Sequence, residues 1–347
     1  MDLPLPLLER LKQNEKIAKK FYEIEASILT ILNFQDFLEK LLSEISEKFN
    51  VPHTWISIIR ESTIAGQLHD IQNSKLLNSS TAFVSRQSFS RMTRNRLSPI
   101  LADTDLERFQ DLLPESSSWS IGSISIAPIT LDGKIVGSIN QADPDSRRFK
   151  PGIDTSLLEQ LALKVSLCLS NVTAHEQLKF LAFHDPLTGL LNRGVMERIL
   201  EREFLRATRY GTDLSLIFLD LDDFKSINDS HGHDTGDLAL CHMADCLMHL
   251  KRDSDIVARF AGDEFVVILP STTTVQAEHY IHRVKHTLAT TPLPIETSDA
   301  SPVHIRLSHG ISSIPDKGIP SSKSLLKEAD QKLYQVKLTK KAGKGRS

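Results

Sequence analysis

Arg259-Phe260-Ala261-Gly262-Asp263-Glu264-Phe265, followed by Val266-Val267-Ile268-Leu269, decides how the second half of this 347-residue chain folds. Two small residues and two carboxylates interrupt two runs of strand-forming residues, which predicts a hairpin tip. Small residues at such a tip let the backbone approach a bulky ligand closely. Adjacent carboxylates can carry a hard cation to phosphate oxygens. A Gly-Asp turn ahead of an apolar strand is also ordinary hairpin chemistry, and on its own that is the commoner case. The surroundings shift the balance.

Upstream, Leu214-Ser215-Leu216-Ile217-Phe218-Leu219 is an apolar run suited to a buried strand. It ends in Asp220-Leu221-Asp222-Asp223-Phe224-Lys225. Asn228-Asp229 and His231-Gly232-His233-Asp234-Thr235-Gly236-Asp237 follow. Carboxylates clustered at the end of a buried strand suit a divalent cation that also serves a nucleotide triphosphate. The plainer alternative is a solvated acidic loop capping the next helix. Against it, Asp220 follows the apolar run without a turn signal, and a second carboxylate pair stands on the separate hairpin.

Five motifs in order carry a family resemblance: His184 to Arg193, Asp220 to Lys225, Asn228 to Asp237, Ala261 to Phe265, and Ala329-Asp330 with Leu333-Tyr334 and Lys337. Together they make the stretch from about Phe180 to Lys341 resemble the GGDEF-domain diguanylate cyclases. The resemblance implies a nucleotidyltransferase that condenses two GTP into cyclic di-GMP with release of two pyrophosphates. Two subunits of a homodimer each present one GTP. It implies Mg²⁺ or Mn²⁺, two ions per active site, held by Asp220, Asp263 and the backbone carbonyl of Leu221. Asp263 or Glu264 would take the proton of the attacking 3′-hydroxyl. Asn228 and Asp237 would read the guanine edge with His233 nearby, since an amide and a carboxylate together match its donors and acceptors. Ala261 and Gly262 would leave room for the nucleotide, and Lys225, Lys337 and Lys341 would neutralise its phosphates as point charges. Taken singly, Asn228 is also a common turn residue, His233 a loop histidine and Lys337 a solvated residue near a helix end.

The chain departs from the family pattern at Ala261, where the first glycine of the signature is expected. It departs again at Lys340 and Lys341, where a glycine and an arginine are usual. A lysine lacks the bidentate fork of arginine. Arg252-Asp253-Ser254-Asp255 has the RxxD form of the family's product-inhibition site, and Arg283 falls where a second inhibitory arginine is expected. The resemblance thus implies feedback by cyclic di-GMP at Arg252, Asp255 and Arg283. The alternative is a weak or inactive domain that serves as a receptor for GTP or cyclic di-GMP, or as an interaction scaffold. A mixed-purine cyclase is disfavoured because Asp237 retains the guanine-reading acid.

Net charge is −3 and implies no nucleic-acid partner. Cys168, Cys241 and Cys246 have no metal or redox spacing and suit buried reduced thiols. No secretory leader is legible and no apolar run approaches the ~20 residues of a membrane span. The expectation is a cytoplasmic protein.

The first half alternates differently. Thr54 to Ile59, Ser123 to Ala127 and Ile135 to Ile139 predict strands, with Leu131-Asp132-Gly133-Lys134 as a turn. This order resembles a GAF-type sensory domain or the GAF-like DUF484 family, with an unknown small ligand or protein as its partner. Trp55, Trp119 and Phe83 line a pocket or fill a core, and Ser116 to Ser118 mark a loop. Ile17, Phe21, Ile24, Ile28 and Ile31, and again Leu158, Leu161, Val165, Cys168 and Val172, follow alternating steps of four and three. Both stripes suit coiled-coil seams between copies, or amphipathic helices packed on their own domain. The expected organisation is an α/β (α+β) two-domain chain: an N-terminal helix over 1–33, a GAF-like domain over 34–172, a linker helix over 173–183, and a cyclase domain over 184–347 with a central antiparallel-rich sheet.

Overall fold

The computed structural model describes residues 5–68, 74–293, 303–314 and 319–344; the side chains of 5–7, 10, 67–68 and 341–344 lie outside that description. The chain divides into two compact units, Met1–Leu178 and Lys179–Ser347.

The first unit runs α1 (Leu5–Ile28), α2 (Phe34–Phe49), β1 (His53–Ile59), α3 (Thr63–Leu68), α4 (Lys75–Ser80), β2 (Thr81–Val84), α5 (Arg86–Thr93), β3 (Ile100–Ala102), β4 (Ser123–Leu131), β5 (Lys134–Asp143) and α6 (Ser156–Phe183), whose residues from Lys179 on belong to the second unit. Its five-stranded sheet has the order β2-β1-β5-β4-β3. The β4–β5 hairpin turns at Asp132 and Gly133, both at positive φ (51° and 75°), as an Asp-Gly turn requires. One sheet face packs Ile56, Ile58 and Ile139 against α1, α2 and α6. The other buries Trp55 with Phe89, Phe109 and Ile126. Trp55 Nε1 donates to the Leu112 carbonyl at 2.6 Å and its ring tilts against Trp119 at 5.2 Å. Both tryptophans therefore belong to packing.

The two expected coiled-coil stripes are corrected here. Ile24, Ile28, Leu161, Val165, Cys168 and Val172 are at most 2% exposed and share one core with the sheet of their own unit; Phe21, Ile31 and Leu158 pack against it. A four-three spacing marks an apolar stripe on a helix and says nothing about which surface covers it. A different row of α6 faces outward: Leu163, Leu167, Leu178 and Leu181 are 53–67% exposed.

The second unit contains α7 (Arg193–Tyr210), β6 (Leu214–Leu221), α8 (Phe224–His231), α9 (His233–Leu250), β7 (Ile256–Ala261), β8 (Glu264–Pro270), α10 (Thr274–Thr290), β9 (Leu307–Ile314) and α11 (Ser322–Lys344). The sheet order is β7-β8-β6-β9 and every neighbouring pair is antiparallel. Strand β6 is buried throughout. Its odd positions, Ile217, Leu219 and Leu221, pack in one core with residues of α9 and α10. Its even positions, Leu214, Leu216 and Phe218, pack with Leu200 and Phe204 of α7 and Leu325, Ala329 and Leu333 of α11. Helix α11 lies tight on β9 at Gly310. A Cβ there would stand 2.1 Å from the Ala329 carbonyl oxygen and 2.4 Å from the Leu333 nitrogen, so only glycine fits.

Candidate nucleotide and metal site

Strand alternation places Asp220 next in the even row of β6, after Phe218. Asp220 pairs in register with Glu264 of β8 on one side and Ser308 of β9 on the other. The sequence-predicted hairpin forms: β7 and β8 meet with Ala261 opposite Glu264, and Gly262 adopts φ of 50° in the two-residue turn. The register slips between Arg259 and Ala261, so Phe260 is an inserted residue that tightens the twist at the tip. The Leu221 amide donates to the Asp263 carbonyl at 3.3 Å, bringing the two carboxylate-bearing segments side by side. Ala261 is exposed, so its extra methyl meets no packed neighbour.

Electrostatically the site is loaded. Burial pushes the Asp220 carboxyl up against the pull of Lys337, and the charges of Asp263 and Asp222 add to the rise. Burial also raises Glu264, assisted by Asp220 and Asp263. Lys337 of α11 forms an ion pair with Asp220, and Lys340 does so with Asp222 at 2.5 Å. Lys341 occupies the last turns of α11, with its side chain outside the described residues. The helix runs on past Lys340 through Lys344.

Asn228 and Asp237 sit on neighbouring helices, joined at Gly232 (φ 86°). The Asn228 amide oxygen lies 1.9 Å from where a Cβ of Gly236 would stand, so the missing side chain at 236 lets Asn228 settle beside the residue before Asp237. Lys225, His233 and Asp237 are exposed.

Sequence reasoning missed Arg259. Its guanidinium donates to Asp185 at 2.9 Å, and its Nε donates to the Gly262 carbonyl at 2.9 Å. Asp185 also accepts from the Thr188 amide and hydroxyl at 2.9 and 2.7 Å. Burial opposes ionisation of Asp185, but the bonds from Arg259 and Thr188 outweigh it and hold the carboxyl below its usual range. An arginine ahead of a signature looks in sequence like any strand residue, and only the bulge aims it back at the tip.

Among the described residues, no group of three or more His, Cys, Asp or Glu is placed to hold an ion by itself. The donors nonetheless suit magnesium, which keeps several waters and is held by one or two carboxylates plus substrate phosphates. Asp220, Asp263 and the Leu221 carbonyl are of the donor type that would make up such a partial set. The raised Asp220 and Glu264 mark local negative charge that a dication would offset.

Arg252, Asp255 and Arg283 line one cavity of about 150 Å³, together with Gln276, His279 and Tyr280. Asp255 is buried and accepts the Arg252 backbone amide at 2.9 Å, so the RxxD stretch is also a closed turn. Arg283 stacks over Tyr280 at 5.7 Å, and Tyr280 donates to the Leu247 carbonyl at 3.3 Å. In the first unit, a cavity of about 820 Å³ runs along β2, where Phe83, Ser85, Ser88, Ser116 and Ser117 join Arg60 in its lining.

The paired carboxylates, the small-residue tip and the basic helix define a site of the kind that handles phosphorylated ligands with a divalent cation. Residues 182–343 match the family described as "Diguanylate cyclase, GGDEF domain", and residues 6–172 match "Protein of unknown function, DUF484". The chain is a DUF484 region followed by a GGDEF domain. It is 39% identical over 165 residues to "Diguanylate cyclase DgcP" of Pseudomonas aeruginosa, covering 48% of this chain and 23% of that protein. It is 36% identical over 171 residues to "Probable diguanylate cyclase DgcC" of Escherichia coli, covering 49% and 44%. The chain thus spans less than half the length of these curated relatives. The solved GGDEF domain of DgcB from Caulobacter crescentus, in complex with c-di-GMP, is 28% identical, with a TM-score of 0.43 over 46% of this chain and 89% of that one. No helix among the described residues is long and apolar enough to cross a membrane.

Proposed function

We propose that the chain is a diguanylate cyclase that condenses two GTP into cyclic di-GMP and two pyrophosphates. The observation that carries this reading is the meeting of Asp220 and Glu264 across β6 and β8, with Asp263 at the adjoining tip and Lys337 against Asp220. Asp220 and Asp263, with the Leu221 carbonyl, hold Mg²⁺ or Mn²⁺, two ions per site. Such ions supply charge neutralisation at the α-phosphate and a lower pKa for the attacking hydroxyl.

The residues of the chain do the rest. Asn228 and Asp237 bind the guanine edge, with His233 at its side. Ala261 and Gly262 keep the tip low enough for the nucleotide to lie over it. Lys225, Lys337 and Lys341 hold phosphate oxygens. Glu264, whose carboxyl is raised by burial and by Asp220, is suited to accept the 3′-hydroxyl proton in company with Asp263. The nucleophile comes from the GTP of a second subunit, so the working form is a homodimer. The outward row Leu163, Leu167 and Leu178 of the first unit offers a surface for it. Product returns to Arg252, Asp255 and Arg283 and restrains turnover. A cytoplasmic location, where GTP is supplied, belongs to the same reading, as does a GAF-like sensory role for the DUF484 region with its ligand in the cavity beside β2.

Purified protein incubated with GTP and Mg²⁺, with products resolved by mass spectrometry, tests the proposal. Cyclic di-GMP from the wild type and none from folded Asp263→Ala is the expected result. No product from a folded dimer stripped of bound cyclic di-GMP favours the receptor alternative.

A further inference from the structure

Lys337 and Lys340 stand about one turn apart on α11, and their partners Asp220 and Asp222 stand two positions apart at the end of β6. Two matched rows produce this pairing. Along β6 the even positions run Leu214, Leu216, Phe218 and then Asp220, with Asp222 just past the strand. Along α11 the facing stripe runs Leu325, Ala329, Leu333 and then Lys337 and Lys340. Apolar packs on apolar in a shared core, and where both rows turn polar, base meets acid. Gly310 keeps the helix close enough for the lysines to reach.

The two pairs differ in how they are held. Asp222 accepts Ser308 Oγ at 2.6 Å as well as Lys340, and its backbone amide donates to the Arg306 carbonyl at 2.8 Å. Lys340 also donates to Ser308 Oγ at 2.9 Å. That pair is embedded in a small network. Asp220 is buried and has Lys337 as its ion-pair partner, while the Lys337 side chain is 35% exposed and has room to leave. A buried carboxylate without a counter-charge is strongly disfavoured. An ammonium and a dication cannot both occupy the same carboxylate oxygen. Lysine, a compact charge on a flexible stem, is the side chain suited to change partners.

We propose that Lys337 is an internal counter-ion which a divalent cation must displace from Asp220, and that the displaced Lys337 is thereby delivered to a nucleotide phosphate. Lys340 anchors α11 to Asp222 while this exchange takes place, which gives a role to the lysine standing at the family's glycine position. Cation and nucleotide then bind with positive, reciprocal coupling through one side chain. The inference rests on the cyclase reading for the identity of the two ligands.

The test is Mn²⁺ binding to the full chain at pH 8, followed by electron paramagnetic resonance of free Mn²⁺. It is run with and without a non-hydrolysable GTP analogue whose own Mn²⁺ affinity is subtracted. Lys337→Met should bind Mn²⁺ alone about fivefold more tightly than wild type, the worth of one released ion pair. In the same variant the analogue should enhance Mn²⁺ affinity less. Lys340→Met should show no such tightening. Lys337→Arg retains the positive charge and should bind Mn²⁺ alone no more tightly than wild type; tighter binding by it overturns the proposal even if the methionine variant does not fold. Equal or weaker Mn²⁺ binding by folded Lys337→Met also overturns it, and leaves the cyclase reading intact if wild type still makes cyclic di-GMP. Failure of wild type to bind Mn²⁺ with or without the analogue removes both.

Discussion

Arg259 and Asp185, 74 positions apart in sequence, form a 2.9 Å ion pair, and the same arginine holds the Gly262 carbonyl. The segment that opens the GGDEF domain and the tip of its signature hairpin therefore share one side chain. The link is reinforced by the Arg259 amide, which donates to the Leu191 carbonyl at 3.0 Å.

Asp185→Asn should destabilise the chain by about 2 kcal/mol at neutral pH, because it leaves a mostly buried guanidinium without its full counter-charge. Asp185 is held below its ordinary value of 3.8. Its contribution is therefore complete above pH 3.8 and is lost as the pH falls through the lower folded value. Urea unfolding of both proteins across pH should show a gap that is constant near neutrality and closes only on strong acidification. A gap that closes between pH 7 and 5 contradicts the assignment.

Gly310→Ala should cost about 2–4 kcal/mol, since the added Cβ meets backbone atoms of Ala329 and Leu333 that cannot move cheaply. It should also lift α11 from β9 and take Lys337 and Lys340 off their acids. Chemical denaturation reads the first effect. Loss of GTP affinity in the surviving folded fraction reads the second.

The two faces of α6 should respond differently to charge. Leu161→Asp with Val165→Asp places carboxylates in the core and should unfold the first unit, seen as loss of its cooperative transition in calorimetry. Leu163→Asp with Leu167→Asp should leave the fold within about 0.5 kcal/mol per site and shift sedimentation toward monomer. A stable dimer of the second variant would place the contact elsewhere.

Arg252→Ala should abolish most of the binding of cyclic di-GMP measured by calorimetry, about a hundredfold or more, through loss of a charge-assisted contact in a confined cavity. Unchanged affinity would leave the Arg252–Asp255 turn with a purely local role.

Much of the second unit was legible because its information is short-range. The run Leu214 to Leu219 and the Ala261-Gly262 tip carry their own strand and turn chemistry. Of the candidate site residues, Asp220 and Lys337 are brought into contact as an ion pair. What escaped was long-range. The partnership of Lys340 with Asp222 spans 118 positions, and no local pattern announces it. The stripes at Ile24–Ile28 and Leu161–Val172 were legible as stripes, but their partner was a sheet whose position depends on the whole fold. Strand β2, four residues long and paired parallel to β1, had too little alternation to stand out.

The alternation along β6 also acts as a reading frame. Inserting or deleting one residue within it would turn Leu221 toward α11 and drive Asp220 into the layer of α9 and α10. The same frameshift would thus remove the acids from the lysines and put a charge in the apolar interior. Single-residue length changes in this strand should accordingly vanish from any selection for folded protein before a selection for activity is applied, whereas substitutions at Asp220 can separate the two.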